Sequence, residues 1–230
     1  MNRLQSELHR LYLSPSSEPG QHLIDAAGQV RAMVMELTGP ADWEVLSKVW
    51  RGVQVDLELP APAIAVSGTD GLQLWFALEQ PVSASRAAAF LAHLQSRYLA
   101  GIAPVRLRLS PSAAGPSFEA ALVPAEQAST GNWSAFVAPD LAPVFADTPW
   151  LDIQPGIEGQ ADLLARLESI KPAAFEAVLQ GLQPVPLESL APVAKASNAD
   201  LDPRRFLQQV LNDETVALSL RIEAAKTLLR

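Results

Sequence analysis

Residues 30–38, VRAMVMELT, alternate with a period of two: Met33, Met35 and Leu37 fall on one face, and Ala32, Val34, Glu36 and Thr38 on the other. That is the period of a strand whose two faces meet different surroundings. It returns at 72–78, where Leu72, Leu74, Phe76 and Leu78 oppose Gln73, Trp75 and Ala77, and at 105–109, where Val105, Leu107 and Leu109 oppose Arg106 and Arg108. A shorter apolar run, AIAV at 63–66, leads into the second of these through Ser67-Gly68-Thr69-Asp70-Gly71, a hairpin turn in which Gly71 is expected to supply the positive φ. Between the strands the spacing turns helical. Trp43, Leu46, Val49 and Trp50 predict a helix over 41–52, and Ala87, Phe90, Leu91, Leu94 and Tyr98 predict another behind a Ser83 cap. Strand, helix, strand, strand, helix, strand is the split βαβ pattern, which implies an α+β chain with an RRM-like antiparallel sheet and helices on one face.

Further strands are expected near 118–123 and in NWSAFVAP, for a sheet of five or six strands. From Gly159 the pattern is helical: Leu163, Leu164, Leu167 and Ile170 form one stripe, and Phe175, Val178 and Leu179 start another after Pro172. Residues 183–200 are a Pro-rich linker, and Asp202-Pro203 caps and opens a helical pair that runs to residue 230. This divides the chain into an α+β domain over 1–150 and a helical C-terminal region over 151–230.

The 230 residues contain no cysteine and only His9, His22 and His93, so disulfides, thiol nucleophiles and Cys-ligated zinc are excluded and a multi-histidine site has little material. A net charge of −8 opposes non-specific DNA binding, which needs Lys and Arg to displace counterions. No apolar run approaches the about eighteen residues of a membrane span. Arg3, Glu7, His9 and Arg10 interrupt the N-terminus, which therefore lacks a signal peptide's apolar core; a cytoplasmic protein is expected. His93 is expected to be solvated, the acids Asp140, Asp147 and Asp152 to solvate or cap their loop, and Trp133 and Trp150 to dock loops on the core.

With helices on the Met33/Leu74 face, period-two geometry puts Glu36, Gln73, Trp75, Arg106 and Arg108 together on the other. Left open, that face offers arginines to phosphate and an indole to a base; the alternative is that Glu36 pairs with an arginine and that Trp75 is covered by the segment after residue 110.

The run of residues 30–109, with its acidic strand end, LPAPAIAV, SGTDGLQLWFAL and a PV helix start, resembles the catalytic core of archaeo-eukaryotic primases, the primase-polymerase superfamily. The resemblance implies two divalent metals held by an Asp-x-Asp pair on the first strand, a hairpin histidine for the nucleotide phosphate and a later aspartate, the metals standing about 4 Å apart for in-line phosphoryl transfer. Here Glu36 and Thr38 stand for the aspartate pair and Gln73 for the histidine, while the VRLRL strand supplies no acid. Asp56 and Glu58 in VDLELP offer the alternate acid spacing, but leave no room for a helix before the hairpin. By this resemblance the catalytic candidates are Glu36, Asp56 and Glu58, and the nucleotide-binding candidates are Ser67, Gly68, Gly71, Gln73, Trp75, Arg106 and Arg108.

Three functions follow from these departures. The first is a non-catalytic primase-polymerase-like module that contacts a protein or nucleotide, in a replication or mobile-element setting. The second is an active metal-dependent nucleotidyltransferase. The third is a structural interaction protein whose open face is covered. No cofactor is expected, Mg2+ or Mn2+ entering only with catalysis. The tail 202–230 resembles that of phage terminase small subunits and is a candidate contact for a protein partner.

Overall fold

The alternating run around Met33 forms β1 (Gln29–Thr38), which pairs antiparallel with β3 (Gly71–Ser83) on one side and with β4 (Leu107–Ser110) on the other. β2 (Ala63–Val66) continues the sheet beyond β3, and β5 (Ala135–Val137) ends it, in the order β4-β1-β3-β2-β5. The protein is thus α+β with an antiparallel five-stranded sheet. The computed structural model describes residues 2–13, 23–112 and 118–181; the linker expected at 183–200 and the segment 202–230 lie outside the described residues.

α2 (Trp43–Val55) starts where the Asp42 carboxylate accepts the Val45 amide, and α3 (Ala84–Tyr98) follows Ser83, whose hydroxyl meets that of Ser85 instead of capping the helix. Both helices bury their predicted stripes against the first sheet face, Leu46, Val49, Phe90 and Leu94 packing with Met33, Met35, Leu72 and Phe76. α5 (Pro172–Gln180) joins them through Phe175, whose ring stacks on Phe90 at 5.3 Å. Ile170, expected on the preceding helical stripe, is a correction. α4 (Ile157–Ala165) has already ended, the chain is extended ahead of Pro172, and the Ile170 amide bonds to the Ala77 carbonyl at the edge of the first-face core.

Helices were expected on one face only; the second face is covered too. α1 (Arg3–Leu11), α4 and the segment around Ala120 and Val123 lay Leu4, Leu8, Leu11, Ala161 and Leu164 over Ala32, Val34, Ala65, Trp75 and Ala77. The physical reason is that these outward strand positions, Glu36 and Gln73 apart, are themselves apolar and need a cover. Tyr12, Trp75 and Phe136 form its centre, with ring centroids 5.3 to 6.1 Å apart.

Polar side chains fix the cover. The Arg31 guanidinium donates to the carbonyls of His9, Arg10 and Leu13, satisfying the C-terminal end of α1, and to Leu78 on β3. Arg10 does the same for α4, donating to Leu164 and Leu167. Gln160 of α4 accepts from the Phe136 amide at 2.7 Å and donates to the Phe136 carbonyl at 2.9 Å, so its amide occupies the outer side of β5.

Residues 118–124 form no strand, and Pro104–Arg106 is a 3-10 turn that shortens the expected VRLRL strand to β4. Among the described residues no helix is long and apolar enough to cross a membrane.

The cover contains one orphan. The Tyr12 hydroxyl is buried without a hydrogen-bond partner among the described residues, a cost of about 1–3 kcal/mol. Tyr12→Phe keeps the ring contacts and removes that cost, so its chemical denaturation midpoint is expected to rise, by the equivalent of about 1 kcal/mol. A fall of that size would contradict an unpartnered hydroxyl.

Candidate functional site

The register sets Gln73 directly opposite Glu36 on one side and Arg108 directly opposite it on the other. This cross-strand row is the constellation that period-two geometry predicts. Gln73 Nε2 donates to Glu36 Oε2 at 3.0 Å, Arg108 donates to Glu36 Oε1 at 3.3 Å, and Trp75 Nε1 donates back to Gln73 Oε1 at 2.8 Å. Arg108 also stands 3.8 Å from Asp70 and lies over the Phe118 ring. One chain of hydrogen bonds therefore runs from a half-exposed guanidinium to a fully buried indole.

The row is closed. Glu36 is 2 % exposed, Gln73 5 % and Trp75 0 %. The reading of Trp75 as a stacking plane on an open face is therefore corrected: α1 and Tyr12 occupy the place a base would take. Burial holds the Glu36 carboxyl above the ordinary carboxylate range, and Asp70 pushes the same way, against the Gln73 donation and the Arg108 charge.

The turn is equally committed. Ser67 Oγ accepts the amides of Thr69 at 3.1 Å and Gly71 at 2.9 Å, the Ser67 amide bonds to the Gly71 carbonyl, and the Gly68 amide bonds to Pro149. Those four donors are not left for a phosphate. The positive φ is at Gly68 (+82°), not at Gly71, and a Cβ on Gly68 would also stand 2.8 Å from the Ser134 amide nitrogen. Gly71 is bare for another reason: a Cβ there would come within 2.6 Å of Glu36 Oε1.

Arg106 is not beside Arg108 on a strand. It closes the 3-10 turn after Pro104, and its guanidinium donates to the backbone carbonyls of Thr38 and Pro40, locking the end of β1. Asp56 and Glu58, weighed as a strand pair, follow α2: Asp56 is its C-cap and Glu58 lies in the next turn at φ +52°. Asp56 pairs with Tyr98 and Arg97 on the helical side of the sheet, whereas Glu36 projects from the opposite face. The three candidate carboxylates are thus not brought together, and among the described residues no group of three or more His, Asp or Glu side chains can hold a metal ion. Arg97 and Tyr98 are the side chains that meet Asp56, and His93 stands one turn before Arg97 on α3; the i, i+4 spacing of His93 and Arg97 is the mark of that cluster in the sequence.

No protein-family model matches the chain, and no curated protein matches it.

Two outcomes are expected. Because folding raises the Glu36 pKa, the folded state holds more protons than the unfolded state once pH exceeds the free-glutamate value of about 4.3. The stability difference between wild type and Glu36→Gln should therefore shift against wild type as pH rises through that window, as read from denaturation curves across pH; a flat difference would contradict it. Gly71→Ala should cost about 1–3 kcal/mol. Most of that cost should disappear in a Glu36→Ala background, a coupling measured by a double-mutant cycle.

Proposed function

We propose that this chain is a non-catalytic module that works through contacts with other proteins, on an RRM-like sheet of primase-polymerase type whose second face is covered by its own helices. The observation that carries this reading is the commitment of the Glu36 row: the carboxylate is buried, both its oxygens are bonded, and its partner Gln73 is tied to a buried Trp75. A primase-polymerase needs convergent, accessible carboxylates for metal and a free donor for triphosphate. Here the corresponding groups bond to one another. The kinship to that superfamily and any replication or mobile-element setting rest on the sequence resemblance, as does residues 202–230 as the element that meets a partner.

A nucleotide role is the less supported reading, since Ser67, Gly68, Gly71, Gln73 and Arg106 each bond within the fold and Trp75 is buried. Only Arg108 keeps a large part of its side chain exposed, 44 %.

The test is calorimetric titration of the full chain with Mg2+ or Mn2+ and a nucleoside triphosphate, alongside primer extension on a DNA template. No binding heat, no thermal shift and no extension are expected. Saturable binding that Glu36→Gln abolishes, or templated extension by wild type, would overturn the reading.

A further inference from the structure

On the second sheet face one guanidinium nitrogen is shared by two acids. Arg108 Nη1 lies 3.3 Å from Glu36 Oε1 and 3.8 Å from Asp70 Oδ1. The same guanidinium lies over the Phe118 ring, its carbon 5.8 Å from the ring centroid. Two residues along the strand, Ser110 Oγ accepts the Ala120 amide at 3.4 Å. β4 thus fastens the segment 118–123, which packs Phe118, Ala120, Leu122 and Val123 onto the second-face core. The two acids differ in their surroundings: the Glu36 side chain is 2 % exposed and that of Asp70 53 %.

Ionisation of Glu36 decides which acid holds Arg108. Gln73 Nε2 donates to Oε2 at 3.0 Å and can do so to a charged or a neutral group, so a proton entering the buried carboxyl goes to Oε1, the oxygen that faces Arg108. The neutral acid has no charge with which to hold the guanidinium, and its O–H is a donor set against other donors. An exposed aspartate stays ionised to lower pH than a buried glutamic acid, so Asp70 is the acceptor left to Arg108. Burial raises the Glu36 pKa, Gln73 and Arg108 oppose the shift, and Asp70 adds to it. The charges of the covering helices have other partners: Arg3 pairs with Glu158 and Asp162, Arg10 with Glu7, and Arg31 donates to carbonyls at the end of α1. Glu119 is the acid of the 118–123 segment itself.

We propose that Glu36 is a proton-operated latch: as a carboxylate it holds Arg108 over Phe118, and as a neutral acid it releases Arg108 to Asp70 and loosens the 118–123 segment on the second face. The latch is closed above the Glu36 midpoint and released below it. Moving one side chain is enough, because both acceptors already lie within ion-pair distance of the same nitrogen. A local change of charge is then read out by a packed segment that carries no part of the titrating group. The Gln73–Trp75 end of the row stays in place, so the closure of that face to a base stands or falls separately.

The experiment is a pH titration of the full-length protein by NMR, following the Glu36 carboxyl carbon, the Arg108 Nε–H group, the Phe118 ring and the exchange protection of the Ala120 amide. Glu36 is expected to titrate above the free-glutamate value of about 4.3. The Arg108 and Phe118 signals should move with that midpoint, and Ala120 protection should fall about tenfold below it, the scale of losing a hydrogen bond between charged groups. Glu36→Gln should hold Arg108 and Phe118 at their low-pH wild-type positions throughout. Asp70→Asn, which leaves the buried row intact, should lower the Glu36 midpoint and abolish the low-pH position of Arg108, whereas Glu119→Gln should change neither. Arg108 and Phe118 signals that stay fixed while Glu36 titrates would overturn the proposal, as would a Glu36→Gln protein whose signals match those of wild type at neutral pH. Either result would make the Glu36–Arg108 pair a static brace. Equal effects of Asp70→Asn and Glu119→Gln would also overturn it, in favour of a diffuse surface field.

Discussion

Glu36 brings a carboxyl group onto the second sheet face at 2 % exposure, and such a group is tolerated only where donors meet it. The neighbouring strands provide them from the two positions directly across the ladder, Gln73 and Arg108. The other end of Gln73 then fixes the Trp75 indole, and Trp75 with Tyr12 and Phe136 makes the aromatic seat on which the N-terminal helix rests. Gly71 lacks a side chain because the carboxylate already fills that space. Hairpin composition, strand register and helical cover thus depend on the accommodation of one acid.

Much of this was legible. Strict alternation in β1 and β3 assigns each residue to a face, and the helical stripes of α2 and α3 identify which face they cover, so the Glu36–Gln73–Arg108 row follows from the sequence alone. What covers the other face does not follow. Leu4, Leu8 and Leu11 have helical spacing, and Asn2 with Gln5 makes a capping box, yet a nine-residue helix carries no local mark of where it docks. Arg106 misled for a related reason. Period-two counting places it beside Arg108, but Pro104 opens a 3-10 turn, and the carbonyls it satisfies, those of Thr38 and Pro40, lie 66 to 68 residues away.

The Ser-Gly-x-x-Gly turn illustrates how a pattern can keep its residues while its donors do other work. In a phosphate-binding loop, glycines leave amides pointing at a ligand. Here the Ser67 hydroxyl collects two of those amides, Pro149 takes a third, and each glycine answers a close approach by the protein itself. The turn is a packing joint between the central hairpin and the loops on both sides of β5.

Gln160 does for β5 what a neighbouring chain would otherwise be free to do. In an antiparallel ladder alternate residues face the paired strand, and within the three residues of β5 it is Phe136 that faces away. Its amide and carbonyl are both held by one side-chain amide, which stands in for the missing peptide group of a sixth strand. The growing end of the sheet is therefore terminated chemically rather than by shape, and the protein carries its own safeguard against self-templated polymerisation at that edge.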